Sequence, residues 1–217
     1  MIAAIARGSG QLKRLPGLIW IWLWSLLACA AAVAVSFEKL DLAVARHFWR
    51  VGRHLSLLST AFGAAVILTL ESAVVLALIL ARLTRGHLSR FAETLAIACL
   101  ASICAYGIND QVLKLLFGVP DPALVLQGAR HVFFAKSFGY GSFPSGHMVL
   151  AGAFAGVFMR LYRASVWPLA ALLLLAAALL VVGDWHFLSD VIAGAFLGVS
   201  AGILAAEGWK AHRYAQD

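Results

Sequence analysis

Phe143-Pro144-Ser145-Gly146-His147 stands where a polar stretch turns into an apolar run. A proline, a small hydroxyl residue and a glycine before such a run are a helix-start signal. A helix start of this kind presents backbone N–H groups to an anion, in this case with an imidazole beside them. The run that follows, residues 148–161, carries no charge before Arg160. Working outward, further apolar runs lie at residues 18–35, 57–83, 91–117, 166–182 and 191–206. Runs of this length and composition predict an all-α, polytopic membrane bundle of six transmembrane helices. Residues 36–56 interleave Glu38, Lys39, Asp41, Arg46, Arg50 and Arg53 with Leu40, Val44, Phe48 and Trp49, the pattern of an amphipathic helix lying along the interface.

Composition agrees. Of 217 residues, 63% are hydrophobic and 12% charged, whereas a soluble domain is about half apolar and about a quarter charged. The length suits a single membrane domain over residues 1–217, with 1–17 as a basic cytoplasmic tail. The net charge of +7 reads as topology rather than as a nucleic-acid footprint. Cys29, Cys99 and Cys104 lie inside apolar runs without metal-ligand spacing, so they read as packing residues. Ala32-Val33-Ala34 resembles a signal-peptide cleavage site, but the apolar run is long and more spans follow, which favours a retained helix anchored by Trp20, Trp22 and Trp24.

Short loops rich in arginine (Arg82, Arg85 and Arg90; Arg160 and Arg163) set a cytoplasmic side that also holds both termini. Lys114, the 118–146 loop, His147, His186 and Asp190 then share the opposite face. A cluster of ionisable residues at one membrane face marks a site. Four residues apart, His186 and Asp190 share one side of a helix, and the carboxylate can fix the tautomer of the ring. His147 at a helix start can serve as a general acid, the amides of Ser145 and Gly146 can hold anionic oxygens, and Lys114 can balance a phosphate. Asn109 and Asp110, about one turn before Lys114, can orient it. Glu71, inside the second span, is either functional or an interhelical hydrogen bond. His131, His47 and His54 read as surface or interfacial residues, and Asp184, two before His186, is an unexpected acid near the site.

These motifs resemble the type 2 phosphatidic acid phosphatase superfamily of membrane lipid phosphatases. Its motif P-S-G-H stands intact at Pro144–His147. Its third motif, S-R-x5-H-x3-D, matches at His186 and Asp190, followed by Val191-Ile192-Ala193-Gly194. Its first, K-x6-R-P, matches at Lys114 and Pro122. The resemblance spans about residues 56–206 as a phosphatase-like core. It departs from the family at Asp121 and at Leu179-Leu180, where the first and third motifs carry arginine and Ser-Arg; Arg130 and Lys136 lie in the same loop as Asp121 and offer other cations.

The resemblance implies a metal-independent reaction without a cofactor, on a phosphomonoester or diphosphate of a lipid, at the periplasmic face of a cell inner membrane. His186 would form a phosphohistidine, Asp190 would orient it, and His147 would protonate the leaving oxygen. Lys114, Ser145 and Gly146, with Arg130 and Lys136, would bind the phosphate. Partners would be the lipid phosphate and the membrane, not nucleic acid. The alternative is a non-catalytic or repurposed member that binds lipid or transfers phosphate on an altered substrate.

Overall fold

A computed structural model describes residues 15–52, 63–135 and 140–215, and the regular structure among them is all helical. Helix α1 (Leu15–Val35) passes through a π-helical turn, Ser36–Leu40, into α2 (Asp41–Gly52). Helices α3 (Ala64–Arg85) and α4 (Arg90–Ile108) follow, and a second π-turn, Asn109–Leu113, leads into α5 (Lys114–Phe117). After α6 (Pro122–Leu126) come α7 (Gly146–Leu161), α8 (Val166–Val182) and α9 (Leu188–Tyr214).

The helix ends follow from local chemistry. Gly86 (φ 75°) closes α3 in the left-handed region that glycine enters without a Cβ clash. Ser89 Oγ accepts the Ala92 N–H at 3.2 Å to start α4. Asp121 Oδ1 accepts the Leu124 N–H at 2.8 Å, with Pro122 at the first helical position of α6.

Among the described residues, five stretches are long and apolar enough to cross a membrane: Ile19–Arg50, Ala64–Arg85, Arg90–Leu126, Arg163–Val182 and Leu188–Arg213. The expected fourth span is shorter. As α7 it has 16 residues, or roughly 24 Å of helix against a hydrocarbon core of about 30 Å. It is also the helix the others enclose, with Met148, Val149, Leu150, Ala153 and Val157 almost fully buried. Lipid-facing side chains lie instead on α1 (Trp20, Trp24), α3 (Leu76, Leu83) and α8 (Trp167, Leu174).

The α7–α9 contact is a seam of glycines. A Cβ on Gly202 would sit 2.2 Å from the Ala153 carbonyl oxygen, and one on Gly198 2.5 Å from that of Val149. On the facing helix, a Cβ on Gly156 would sit 2.6 Å from the Val199 carbonyl oxygen. Backbones this close need residues without side chains, the small-residue packing of membrane helices. At the end of the bundle away from His147, Glu207 of α9 pairs with Arg160 of α7, and Arg213 Nη1 of α9 reaches Glu93 Oε2 of α4 at 3.1 Å.

The amphipathic segment is α2, and it continues α1 through a π-turn. Its Asp41 and Ala45 are buried, and Val44 packs on Met148, Leu180, Val181 and Val191, so its apolar side is closed against the bundle. Glu71 is buried on α3, and Ser102 of α4 donates from Oγ to the Leu150 carbonyl of α7 at 3.1 Å.

Candidate active site

The loop before α7 and the loop before α9 meet at one end of the bundle. Ser145 caps α7, its Oγ accepting the Met148 N–H at 3.4 Å. Its own backbone N–H donates to the Asp190 carbonyl at 3.1 Å. The Ser145 amide was expected to hold phosphate; it is spent instead on joining the two loops. A Cβ on Gly194 would lie 2.6 Å from the Ser145 carbonyl oxygen, so the glycine seam continues up to the site.

His186 precedes α9 and is not part of it, because the chain turns through Gly183, Asp184 and Trp185 before Phe187 caps the helix. The expected helical pairing with Asp190 is therefore a loop-to-helix pairing. His186 Nδ1 lies 3.5 Å from Asp190 Oδ2. Asp190 is buried at the third position of α9, and its Oδ2 also accepts the Phe187 N–H at 2.9 Å and a short hydrogen bond from Ser142 Oγ. Ser142 Oγ is 3.4 Å from His186 Nδ1 as well. With Nδ1 facing Asp190 and Ser142, His186 Nε2 is the ring nitrogen left for chemistry.

The His147 ring lies 5.7 Å from the His186 ring and 6.3 Å from Trp185, centroid to centroid. Lys114 Nζ pairs with Asp110 Oδ1 at 3.0 Å, lies over the Tyr106 ring at 5.7 Å, and sits 3.5 Å from where a Cβ on Gly146 would be. Asp110 does orient Lys114, while Asn109 turns away and donates from Nδ2 to the Pro144 carbonyl at 3.2 Å. One ammonium, two imidazoles and the Gly146 backbone thus border one cleft. That is an arrangement for holding a tetrahedral anion while a nitrogen attacks it.

Arg130 is exposed and makes no ion pair with a described residue. Lys136 lies outside the described residues. Asp121 is occupied as the cap of α6, and Leu180 is a core residue packed with Met148, Val181 and Val191. His131 is not a surface residue. Its side chain is 6% exposed, and its ring is stacked on Phe37 at 4.0 Å and lies 4.4 Å from Phe187. Sequence reasoning missed Ser142, Ser189 and Asp41, whose contacts cross the bundle; only the hydroxyl of Ser142, beside the motif, gave a local signal.

Asp184 is buried in the turn before His186, at φ 58°, and its carboxylate oxygens have no hydrogen-bond partner among the described residues. Burial raises its pKa from the usual 3.8 to about 6. The folded state therefore holds the proton to higher pH than the unfolded one. The protonated group's contribution is whole below pH 3.8 and is lost as pH climbs through about 6. Asp184→Asn, which tolerates the same backbone conformation, should raise stability by about 1–2 kcal/mol at pH 7.5 and leave it unchanged at pH 3.5. Thermal unfolding in detergent at the two pH values measures this.

An apolar cavity of about 480 Å³ opens beside the cleft, lined by Leu26, Cys29 and Val33 of α1 and by Phe117, Phe143 and Pro144. Phe143 and Pro144 form its wall, and Ser145 and Gly146 follow them at once in the cleft.

A family model described as the PAP2 superfamily matches residues 93–214. A comparison with curated proteins finds no match. Among solved structures, the fold resembles the crystal structure of the first transmembrane PAP2 type phosphatidylglycerolphosphate phosphatase from Bacillus subtilis. The TM-score is 0.52 at 16% identity, over 89% of this chain and 96% of that one.

Proposed function

The chain belongs to the PAP2 superfamily, and from that premise we propose that it is a membrane lipid-phosphate phosphatase working through a phosphohistidine at the periplasmic face of an inner membrane. The observation that carries the reading is the convergence of His186, held by Asp190 and Ser142, with His147 and Lys114 around Gly146. His186 Nε2 attacks phosphorus, the bond from phosphorus to the lipid oxygen breaks, and His147 gives that oxygen a proton. Water then attacks the phosphohistidine, His147 takes the water's proton, and inorganic phosphate leaves with His186 restored. The substrate is a phosphomonoester or diphosphate whose hydrocarbon chain lies in the cavity beside Phe143 and Pro144.

The second reading, a repurposed member with altered phosphotransfer or lipid binding alone, is favoured by Asp121 and Leu180. These positions are arginine in the family's motifs, whereas in this chain the first caps a helix and the second packs in the core.

Phosphate release by the purified protein separates the two readings. Phosphatidate, phosphatidylglycerol phosphate and a polyprenyl diphosphate in mixed micelles are compared with water-soluble glycerol 3-phosphate. Release from at least one lipid, with kcat/KM about 100-fold or more above the soluble ester, is expected, because the chain's burial contributes binding that glycerol 3-phosphate lacks. No release from any lipid phosphate would overturn the phosphatase reading.

A further inference from the structure

Behind Asp190 lies a second polar cluster that the reaction above does not use. Asp41, at the start of α2, has a side chain with 0% exposure. Its Oδ1 accepts the Ser189 backbone N–H at 3.0 Å, and its Oδ2 accepts the Ser189 hydroxyl at 2.5 Å. Ser189 stands in the first turn of α9, where backbone N–H groups lack intrahelical acceptors and the helix dipole favours an anion. Asp41 is thus a carboxylate that one helix delivers to the N-terminus of another. His131 Nε2 faces the same Oδ2 at 3.7 Å. The His131 ring packs on Phe187, which gives its own N–H to Asp190.

Each of these contacts ends beside the reacting pair. Ser189 is the chain neighbour of Asp190, and Phe187 is the chain neighbour of His186. Enclosing a carboxylate costs several kcal/mol unless donors surround it, and an asparagine of the same size would fill the space without that cost. We infer that Asp41 is a positioning residue: through Ser189 it fixes the first turn of α9, and with it the placement of Asp190 against His186. This rests on the phosphohistidine reading.

The titratable groups around Asp41 are His131 from the 127–135 loop and Asp190 from α9, and His186 faces Asp190 and His147. Burial pushes the His131 pKa below the ordinary imidazole value, with Asp190 opposing. His131 Nε2, at 3.7 Å, makes no hydrogen bond to Asp41 among the described residues, so Ser189 carries the contact. When the first turn of α9 is released, Asp190 holds His186 less closely, and a ring further from that carboxylate reacts as the neutral base at lower pH.

Asp41→Asn tests this. Its kcat on a lipid phosphate should fall about 10- to 100-fold with KM within about twofold. The pH midpoint for His186 should move down by about half a unit. That midpoint is read from the acid limb of kcat/KM and from the pH dependence of diethyl pyrocarbonate labelling of His186, resolved by mass spectrometry. Ser189→Ala, which removes one donor and keeps the backbone N–H, should move both quantities the same way by less. The double variant should fall short of the sum of the two single effects.

A wild-type midpoint in folded Asp41→Asn overturns the inference, as does a fall in kcat matched by the loss of folded protein. Should Asp41→Asn not fold, an unchanged midpoint and kcat in Ser189→Ala overturn it instead. A shifted labelling midpoint in a protein that releases no phosphate refutes the phosphatase reading and leaves the positioning role standing.

Discussion

His186→Asn is expected to lower phosphate release by about 1,000-fold or more and to abolish any covalent phosphoenzyme. Asparagine keeps a polar group of similar reach toward Asp190 Oδ2 but offers no basic nitrogen to phosphorus. With a lipid phosphate labelled on phosphorus, the wild-type protein quenched in alkali should carry label that acid then removes, as a phosphorus–nitrogen bond requires. His147→Asn should slow both half-reactions, because the same ring protonates the departing oxygen and later activates water. An activated leaving group such as a nitrophenolate needs no proton, so the first step should recover on it while the second stays slow. Label should then accumulate on His186. Full activity in His186→Asn, or label on another residue, would end the mechanism.

The second large effect is on the fold. Gly202→Leu should destabilise the protein by about 3 kcal/mol or more, because a Cβ alone would stand 2.2 Å from the Ala153 carbonyl oxygen and α7 has no free side to retreat toward. The same helix supplies the control. Gly208 has nothing within 4 Å of its would-be Cβ, so Gly208→Leu should change stability by less than about 0.5 kcal/mol. Thermal unfolding in one detergent compares the two. Activity should follow, since the seam that Gly202 belongs to also sets Ser145 against Gly194.

The parts of the molecule governed by short-range pattern were legible in the sequence. The run at residues 166–182 became α8 with the same ends, because hydropathy alone dictates it. Pro144–His147 became a capped helix start because serine before glycine is a local hydrogen-bonding decision. Lys114, His147, His186 and Asp190 were placed on one face by span order, and the structure brings them together there.

What failed was set by partners distant in the chain. Asp41 and Ser189 stand 148 residues apart, and nothing in an amphipathic pattern says which neighbour its polar side will meet. His131 reads in sequence as a surface or interfacial residue because the aromatic rings packed on it, Phe37 and Phe187, come from α1's extension and the turn before α9. The four-residue spacing of His186 and Asp190 suggested a helical turn, whereas the chain reaches the same contact by starting the helix after His186. The amide of Ser145 looked available for substrate, and only the arrival of the Asp190 carbonyl removes it.

The length of α7 has a consequence for the substrate's path. A helix of roughly 24 Å inside a hydrocarbon layer of about 30 Å leaves its capped end short of one surface when its other end is level with the opposite one. In the proposed reaction a phosphate bound at Gly146 then lies just beneath the headgroups, while the chain below it stays among other chains or in the cavity beside Pro144. Extraction into water, which costs about 0.8 kcal/mol for each methylene exposed, is not required. On the proposed function, a lipid phosphate reaches the site by moving sideways within its own leaflet.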